Sequence, residues 1–414
     1  MNCIKRFFKK IKNEGFKKAL MLLYEMLLSR IFYFLLKLED KIPLKNIIVF
    51  ECESDMDDNP RAVYEYMIKE KMYRKYRFVW IVKNVDFCKK NYANKNTVFI
   101  NRYDKTLKNQ LVLNYYLSTA KWFIFSHPYW FIKKNKKQIV VHIGHGTPIK
   151  QAEKTFNSDC YDFLMVPSMN VLEWYTTFWH CDKSKSFICG LPRNDLLFID
   201  ECKKNNILKK LIPDISDEKV IMCMPTYRQS ATKIDSNVED TYSLSVVDTE
   251  EQFLQLNSVL AKLHIHLIVK IHPLQKLDNL KTGNVSNIHY IQNADLFYKK
   301  VLLYELLGCC DSLITDVSSV VFDFLLLDRP VAFFMNNYHL YSRGYILDNP
   351  VEFMPGDKIY QFENLITYLN VFSQTNANYS FKRKRICEFA NGTHSPKTSF
   401  AQDFLNWFNN QKEE

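Results

Sequence analysis

The sequence predicts an α/β protein built as two Rossmann-like halves that face a cleft. Three features lead there. From Asn46 onward, short β-branched and aromatic runs alternate with longer stretches of helical periodicity, the rhythm of parallel βαβ units. That rhythm occurs twice, on either side of a charged stretch around residues 200–218 that carries Pro213. Several buried runs are followed by histidine, arginine, serine or glycine, where ligands gather at the carboxyl ends of strands in an open sheet.

In the first series, residues 47–50, 78–82, 97–100, 122–125 and 139–143 read as strands. In the second, residues 220–224, 266–271, 312–315 and 331–334 do. Nothing repeats at a fixed short period, so solenoids and propellers are set aside. The division expected is a basic helical segment over 1–45, a first half over 46–205, and a second half over 206–414 that includes a C-terminal helix. In that helix Phe400, Phe404, Trp407 and Phe408 fall on one stripe, read as core packing.

A chain of 414 residues accommodates two such halves and an appendage, at about 150 residues per domain. A formal charge of +11 favours a polyanionic partner: nucleic acid, an anionic bilayer or a phosphate-rich substrate. The eleven cysteines are odd in number and form no C-x-x-C pair or zinc spacing, so they read as reduced thiols of a reducing compartment. The adjacent Cys309 and Cys310 are poorly placed for a disulfide.

Lys5, Arg6, Lys9, Lys10, Lys12, Lys17 and Lys18 form a basic arm with only Glu14 against them. Residues 19–38 are apolar but broken by Glu25, Ser29, Arg30 and Lys37, too polar for a span of about 20 residues. No signal-peptide cleavage pattern follows. The segment reads as amphipathic helices whose lysines meet anionic headgroups while Phe7, Phe8, Leu22, Leu23 and Phe32 enter the acyl boundary. For 19–38 a helical cap on the next domain is the competing reading.

The residues able to do chemistry follow the strands. Gly144-His145-Gly146-Thr147-Pro148-Ile149-Lys150 places an imidazole between two glycines that let backbone approach a ligand. A neutral His145 is suited to accept the proton of an attacking hydroxyl; the competing reading is an ordinary glycine loop. Pro225-Thr226-Tyr227-Arg228 sets a guanidinium at a strand end, fit for phosphate, and His272-Pro273 turns a second imidazole toward the cleft. In Thr315-Asp316-Val317-Ser318-Ser319, a strand gives way to a helix whose first amides and hydroxyls suit a diphosphate; a plain helix cap is the alternative. Arg343-Gly344 offers another cation on a loop. His142 is left out of the site as a buried, hydrogen-bonded strand residue.

No Walker-type or G-x-G-x-x-G loop is present, which removes support from ATP hydrolysis and nicotinamide chemistry. No Asp-x-Asp is placed to hold a metal; Asp55, Asp57 and Asp58 come closest and read as helix-capping acids before Asn59-Pro60.

In this order the segments resemble the CDP-glycerol glycerophosphotransferase family, the teichoic-acid primases and polymerases and their ribitol-phosphate relatives. The matching pieces run from Phe50-Glu51 and Asp58-Asn59-Pro60-Arg61 through His145-Gly146-Thr147-Pro148 and Gly190-Leu191-Pro192-Arg193-Asn194-Asp195. They continue through Pro225 to Arg228, His272-Pro273, the run from Thr315 to Phe324 and Arg329-Pro330 to Arg343-Gly344. The likeness covers residues 46–348.

The resemblance implies a GT-B type fold, with an acceptor half over 46–205 and a CDP-donor half over 206–414. It implies no tightly bound cofactor, a CDP-glycerol or CDP-ribitol co-substrate, a polyprenyl-diphosphate-linked acceptor, and a peripheral place on the cytoplasmic face of the membrane. No nucleic-acid partner is expected; metal need and homo-oligomer formation are left open.

By the same resemblance His145 is the base and His272 a second histidine near the donor phosphates. Arg228, Thr315, Asp316, Ser318, Ser319 and Arg343 hold the donor, while Gly146, Thr147, Lys150, Arg193 and Asn194 stand on the acceptor side or support it. One departure stands out, since Gly144 occupies the place where the family usually has Trp.

The expected reaction is in-line attack of a hydroxyl on the β-phosphorus with loss of CMP. Two other readings remain at this stage: a GT-B glycosyltransferase using a nucleotide sugar, and a non-catalytic membrane scaffold.

Overall fold

The computed structural model describes residues 42–94, 96–127, 135–152, 161–225, 242–271, 285–336, 344–374, 379–393 and 399–411. The basic segment expected over 1–45 therefore lies, up to residue 41, outside the described residues.

Among the described residues, thirteen strands form two parallel sheets. The first holds β1 (Lys45–Glu51), β2 (Arg77–Val82), β3 (Thr97–Asn101), β4 (Ala120–Phe125), β5 (Ile139–His142), β6 (Phe163–Val166) and β7 (Ser186–Ile188), in the order β3-β2-β1-β4-β5-β6-β7. The second holds β8 (Lys219–Met224), β9 (Ile265–Lys270), β10 (Ile288–Ile291), β11 (Ser312–Thr315), β12 (Val331–Phe334) and β13 (Asp357–Ile359), in the order β10-β9-β8-β11-β12-β13. Each sheet begins at its middle, grows one way, then reverses. The reversals fall between β1 and β4 and between β8 and β11, and crevices that bind ligands open at the carboxyl ends of such points.

Both faces of these strands are covered, which is why they read as continuous apolar runs. On β1, Ile48 and Phe50 join Phe78, Trp80 and Trp122 on one face, while Ile47 and Val49 join Val79, Ile81 and Phe123 on the other. The second cluster continues into Val220, Met222, Leu313 and Phe322. One apolar core thus runs through both halves.

Four strands escape the sequence reading: β6, β7, β10 and β13. They have three or four residues each, and β7, β10 and β13 are edges. β9 starts one residue earlier than expected.

The C-terminal helix Phe400–Asn410, grouped by chain order with the second half, packs on the first sheet instead. Phe404, Leu405 and Phe408 enter the cluster of Phe78 and Trp122, and Trp407 stacks on Phe187 at 3.7 Å. Its apolar stripe is core packing, as expected. The Asp195 carboxylate accepts from Ser399 Oγ at 2.7 Å and from the amides of Phe400 and Ala401 at 2.8 and 3.0 Å, fastening the helix start to the first half. Gly190 makes room for the Phe400 ring, which a Cβ would meet at 2.1 Å.

Cys309 Sγ donates to Glu305 O at 3.2 Å and Cys310 Sγ to Leu306 O at 3.1 Å, so each is a thiol bound to its own helix. No helix among the described residues is long and apolar enough to cross a membrane.

Candidate active site

After β5 the chain turns through Gly144 (φ +60°) and Gly146 (φ +137°), which hold His145 between them in backbone conformations that side chains rarely adopt. Asn59 fixes this loop from outside: its amide donates to Ile143 O at 3.1 Å and Gly144 O at 3.0 Å, while its oxygen accepts from Arg193 N at 3.0 Å. His145 Nδ1 lies 3.1 Å from Ser126 O. A carbonyl only accepts, so Nδ1 carries the proton and Nε2 keeps its lone pair. Burial first, then the neighbouring His127, brings the His145 pKa down to about 4, with Asp58 opposing. His145 is therefore a neutral imidazole at ordinary pH.

His142 is wholly buried and accepts from Gly144 N at 3.2 Å, a structural residue as expected. Thr147 is likewise fully buried, and its hydroxyl lies beside the buried Tyr175 hydroxyl.

Arg193 joins the halves. Its Nη1 donates to Asp58 Oδ1 at 2.6 Å, its Nη2 to Asp323 Oδ2 at 2.8 Å, and its guanidinium lies 4.3 Å from the Tyr304 ring centroid. Asn194 Nδ2 reaches the other Asp323 oxygen at 3.2 Å, and the Tyr304 hydroxyl donates to Asp323 at 2.5 Å. Against burial, Tyr304, Asp58 and Asp323 keep the guanidinium charged. Burial acts to raise the Asp58 carboxyl, but Arg193, His127 and His145 outweigh it and hold it below the usual range. Arg193 and Asn194 are thus buried supports, not groups open to a ligand.

The three acids before Asn59 divide. Asp57 does cap the helix Asp58–Lys69. Asp55 instead accepts from Lys83 N at 2.7 Å and Asn84 N at 2.6 Å, and Asp58 pairs with Arg193.

In the second half, β11 leads into Asp316, Ser318 and Ser319. A Cβ on Gly146 would meet Ser319 Oγ at 2.8 Å and Arg193 Nη2 at 3.0 Å, so the His145 loop lies directly against this segment. Below it, Ile346 N donates to Ile149 O at 2.8 Å, Gln151 N donates to Gly344 O at 3.2 Å, and Lys150 bridges to Tyr345. Two expectations change here. The Thr315 hydroxyl, expected on the donor phosphates, is buried and donates to Met224 O at 2.7 Å, tying β11 to β8. The helix after Ser319 spans only Val320–Phe324, too short for a strong dipole, so an anion there would meet loop amides and hydroxyls.

Arg228, His272 and Arg343 lie outside the described residues. The sequence reading gave no site role to Asn59, Asp323, Tyr304, Glu53 or His127. Of these His127 carried a usable sign: like His272 it follows an apolar strand and precedes proline. Glu53 Oε2 pairs with His127 Nε2 at 3.1 Å, and both line a cavity of about 260 Å³ at the reversal of the first sheet, with Asp55, Lys83 and Arg102. Among the described residues no group of three or more His, Cys, Asp or Glu side chains is arranged to hold a metal ion.

The family model described as CDP-Glycerol:Poly(glycerophosphate) glycerophosphotransferase matches residues 32–398. The chain belongs to this family. Membership bears out the resemblance carried by the motif order, and the reaction named in the glycerophosphotransferase description is the one to which the motifs led.

Among relatives, the teichoic acid poly(glycerol phosphate) polymerase of Staphylococcus epidermidis is 26% identical over 401 residues, which cover 89% of this chain and 52% of that protein. The chain thus spans about half of that relative. The teichoic acid glycerol-phosphate transferase of Staphylococcus aureus is 24% identical over 411 residues, 90% of this chain and 96% of that one. The wall teichoic acid polymerase TagF superposes with a TM-score of 0.72 at 23% identity, covering 99% of this chain and 98% of the other. That likeness bears out the GT-B type fold of this glycerophosphotransferase-family chain.

Proposed function

We propose that this chain transfers an alditol phosphate from a CDP-alditol to a terminal hydroxyl of a lipid-linked teichoic-acid-type polymer, releasing CMP. The observation that carries the reading is the close approach of Gly146 to Ser319, which sets the loop bearing a neutral imidazole in one half against a serine hydroxyl of the other. His145 Nε2 takes the proton of the acceptor hydroxyl as its oxygen bonds to the β-phosphorus; the bond to the bridging oxygen breaks and CMP departs.

Residues 46–205 bind the acceptor and the second half binds the donor. Ser318 and Ser319, with the loop amides beside them, steady charge on the transferred and leaving phosphates, a fixed electrostatic contribution of the kind that dominates such reactions. Asp316 shapes the same turn, since its carbonyl accepts from Ser318 N at 3.0 Å. Arg228, His272 and Arg343 join the donor site on the strength of the motifs alone. The donor class is supported by TagF, which shares the fold and has been solved after a soak with CDPG. The basic segment over 1–18 holds the enzyme to an anionic membrane surface, where a polyprenyl-linked acceptor resides.

The test is a parallel offer of CDP-glycerol, CDP-ribitol and UDP-sugars to the purified chain with a lipid-linked acceptor analogue, followed by mass analysis of the product. CMP release with one phosphodiester-linked alditol added per turnover is expected. UDP release would move the chain to the nucleotide-sugar transferases. Deleting residues 1–18 is expected to shift the protein from vesicles to the supernatant; unchanged partitioning removes the membrane role.

A further inference from the structure

The turn after β4 carries two imidazoles at once. Ser126 O accepts from His145 Nδ1, and the next residue, His127, lays its ring parallel to that of His145, with centroids 4.7 Å apart and planes inclined by 10°. Both nitrogens of His127 have partners: Glu53 Oε2 lies 3.1 Å from Nε2 and Ser126 Oγ lies 3.0 Å from Nδ1. The hydrogen bond from His127 holds the Glu53 carboxyl down at about 2, so its negative charge is present across the ordinary pH range. Glu53 is largely exposed, and an exposed pair adds little to stability. Its effect is on local charge.

We propose that His127, oriented by Glu53, is a positioning residue that keeps the stacked His145 in its free-base form. This rests on the reading of His145 as the base. Two positive rings at this separation repel, so a proton on His127 disfavours a second one on His145. The groups that face His145 from the surrounding elements set that balance. Asp58, at the start of the helix Asp58–Lys69, favours a protonated His145; Arg193, from the turn after β7, and His127, from the turn after β4, oppose it. Burial acts in the same sense as His127, while His142 on β5, itself driven well below its ordinary value by burial, adds no charge at neutral pH. Of these two His127 acts more strongly on His145 and is the partly exposed one, so it is the one within reach of whatever enters the adjoining cavity.

The experiment follows His145 by NMR of the full chain carrying 13C-labelled histidine, with the signal assigned through His145→Gln. In His127→Asn the His145 titration midpoint is expected to rise by about one pH unit, and the acid limb of kcat/KM to rise with it. In His127→Lys, which restores the charge but not the ring, the midpoint stays near the wild-type value. A midpoint unmoved by Asn, or raised alike by Asn and Lys, overturns the inference, because then charge is not what His127 supplies. The base assignment is read separately: if His145→Gln keeps its turnover, that assignment falls, while the titration still decides the coupling between the two rings.

Discussion

The two sheet reversals share a topology and differ in chemistry. At the ends of β1 and β4 stand groups that gain and lose protons, Glu53 and His127, with His145 stacked beside them. At the ends of β8 and β11 stand Asp316, Ser318 and Ser319 with their backbone amides, and the buried Thr315 hydroxyl is tied to Met224. On the proposed function, the same fold supplies a proton acceptor on one side and an anion cradle on the other. Arg193 clamps the two sides together through Asp58 and Asp323.

Removing the proton acceptor should show the contrast most strongly. His145→Ala is expected to lower CMP release about a thousandfold while equilibrium binding of the CDP-donor stays within a few-fold. Near-normal turnover, or loss of donor binding, would erase the division of labour.

Breaking the clamp should come next. Asp323→Ala leaves a buried guanidinium with half its countercharge, and a loss of about 3–5 kcal/mol in urea unfolding is expected. A loss below about 1 kcal/mol would mean that Arg193 recovers a partner and that the halves are held by their apolar core alone.

On the cradle side the effect should be smaller and of another kind. Ser318→Ala with Ser319→Ala is expected to raise KM for the donor about tenfold, the worth of one or two lost hydrogen bonds, with kcat changed little. A fall in kcat at constant KM would place these hydroxyls on the transition state instead.

Acid should separate the halves least. His145 and His289 have pKa values brought down from 6.5 to about 4 by burial, and His142 and His266 are lowered by the same cause. Each binds its proton more readily once unfolded, so stability is whole above about 6.5 and falls as pH drops from there toward 4. Glu53 adds a loss only further down, between 4.5 and about 2. Urea titrations from pH 7 to 4 check this, and a flat profile would contradict the burial of these rings.

How much of this was legible follows from range. The nine strands read from the sequence are runs whose own residues carry the signal, whereas β10 (Ile-His-Tyr-Ile) and β13 (Asp-Lys-Ile) are short edges defined by their neighbours. His145 and Ser319 were legible because glycines or hydroxyls cluster locally at a strand end. Glu53, Asp58, His127 and Asp323 were not, because what gives each its role is a partner 18 to 135 positions away that only folding brings near. Local patterning reports on the backbone a residue sits in, not on the charge it will meet.

The fastening of the final helix by Asp195 bears on how the molecule is made. A ribosome delivers Phe78 and Trp122 early, but Phe404 and Phe408, which cover them, emerge only after the whole second sheet has been synthesised. Until then the nascent first sheet carries an uncovered aromatic face of the kind that invites association with other chains. Completion of the first sheet's aromatic layer thus waits until the second sheet has been synthesised, and holding factors during translation would act on that layer rather than on the later one.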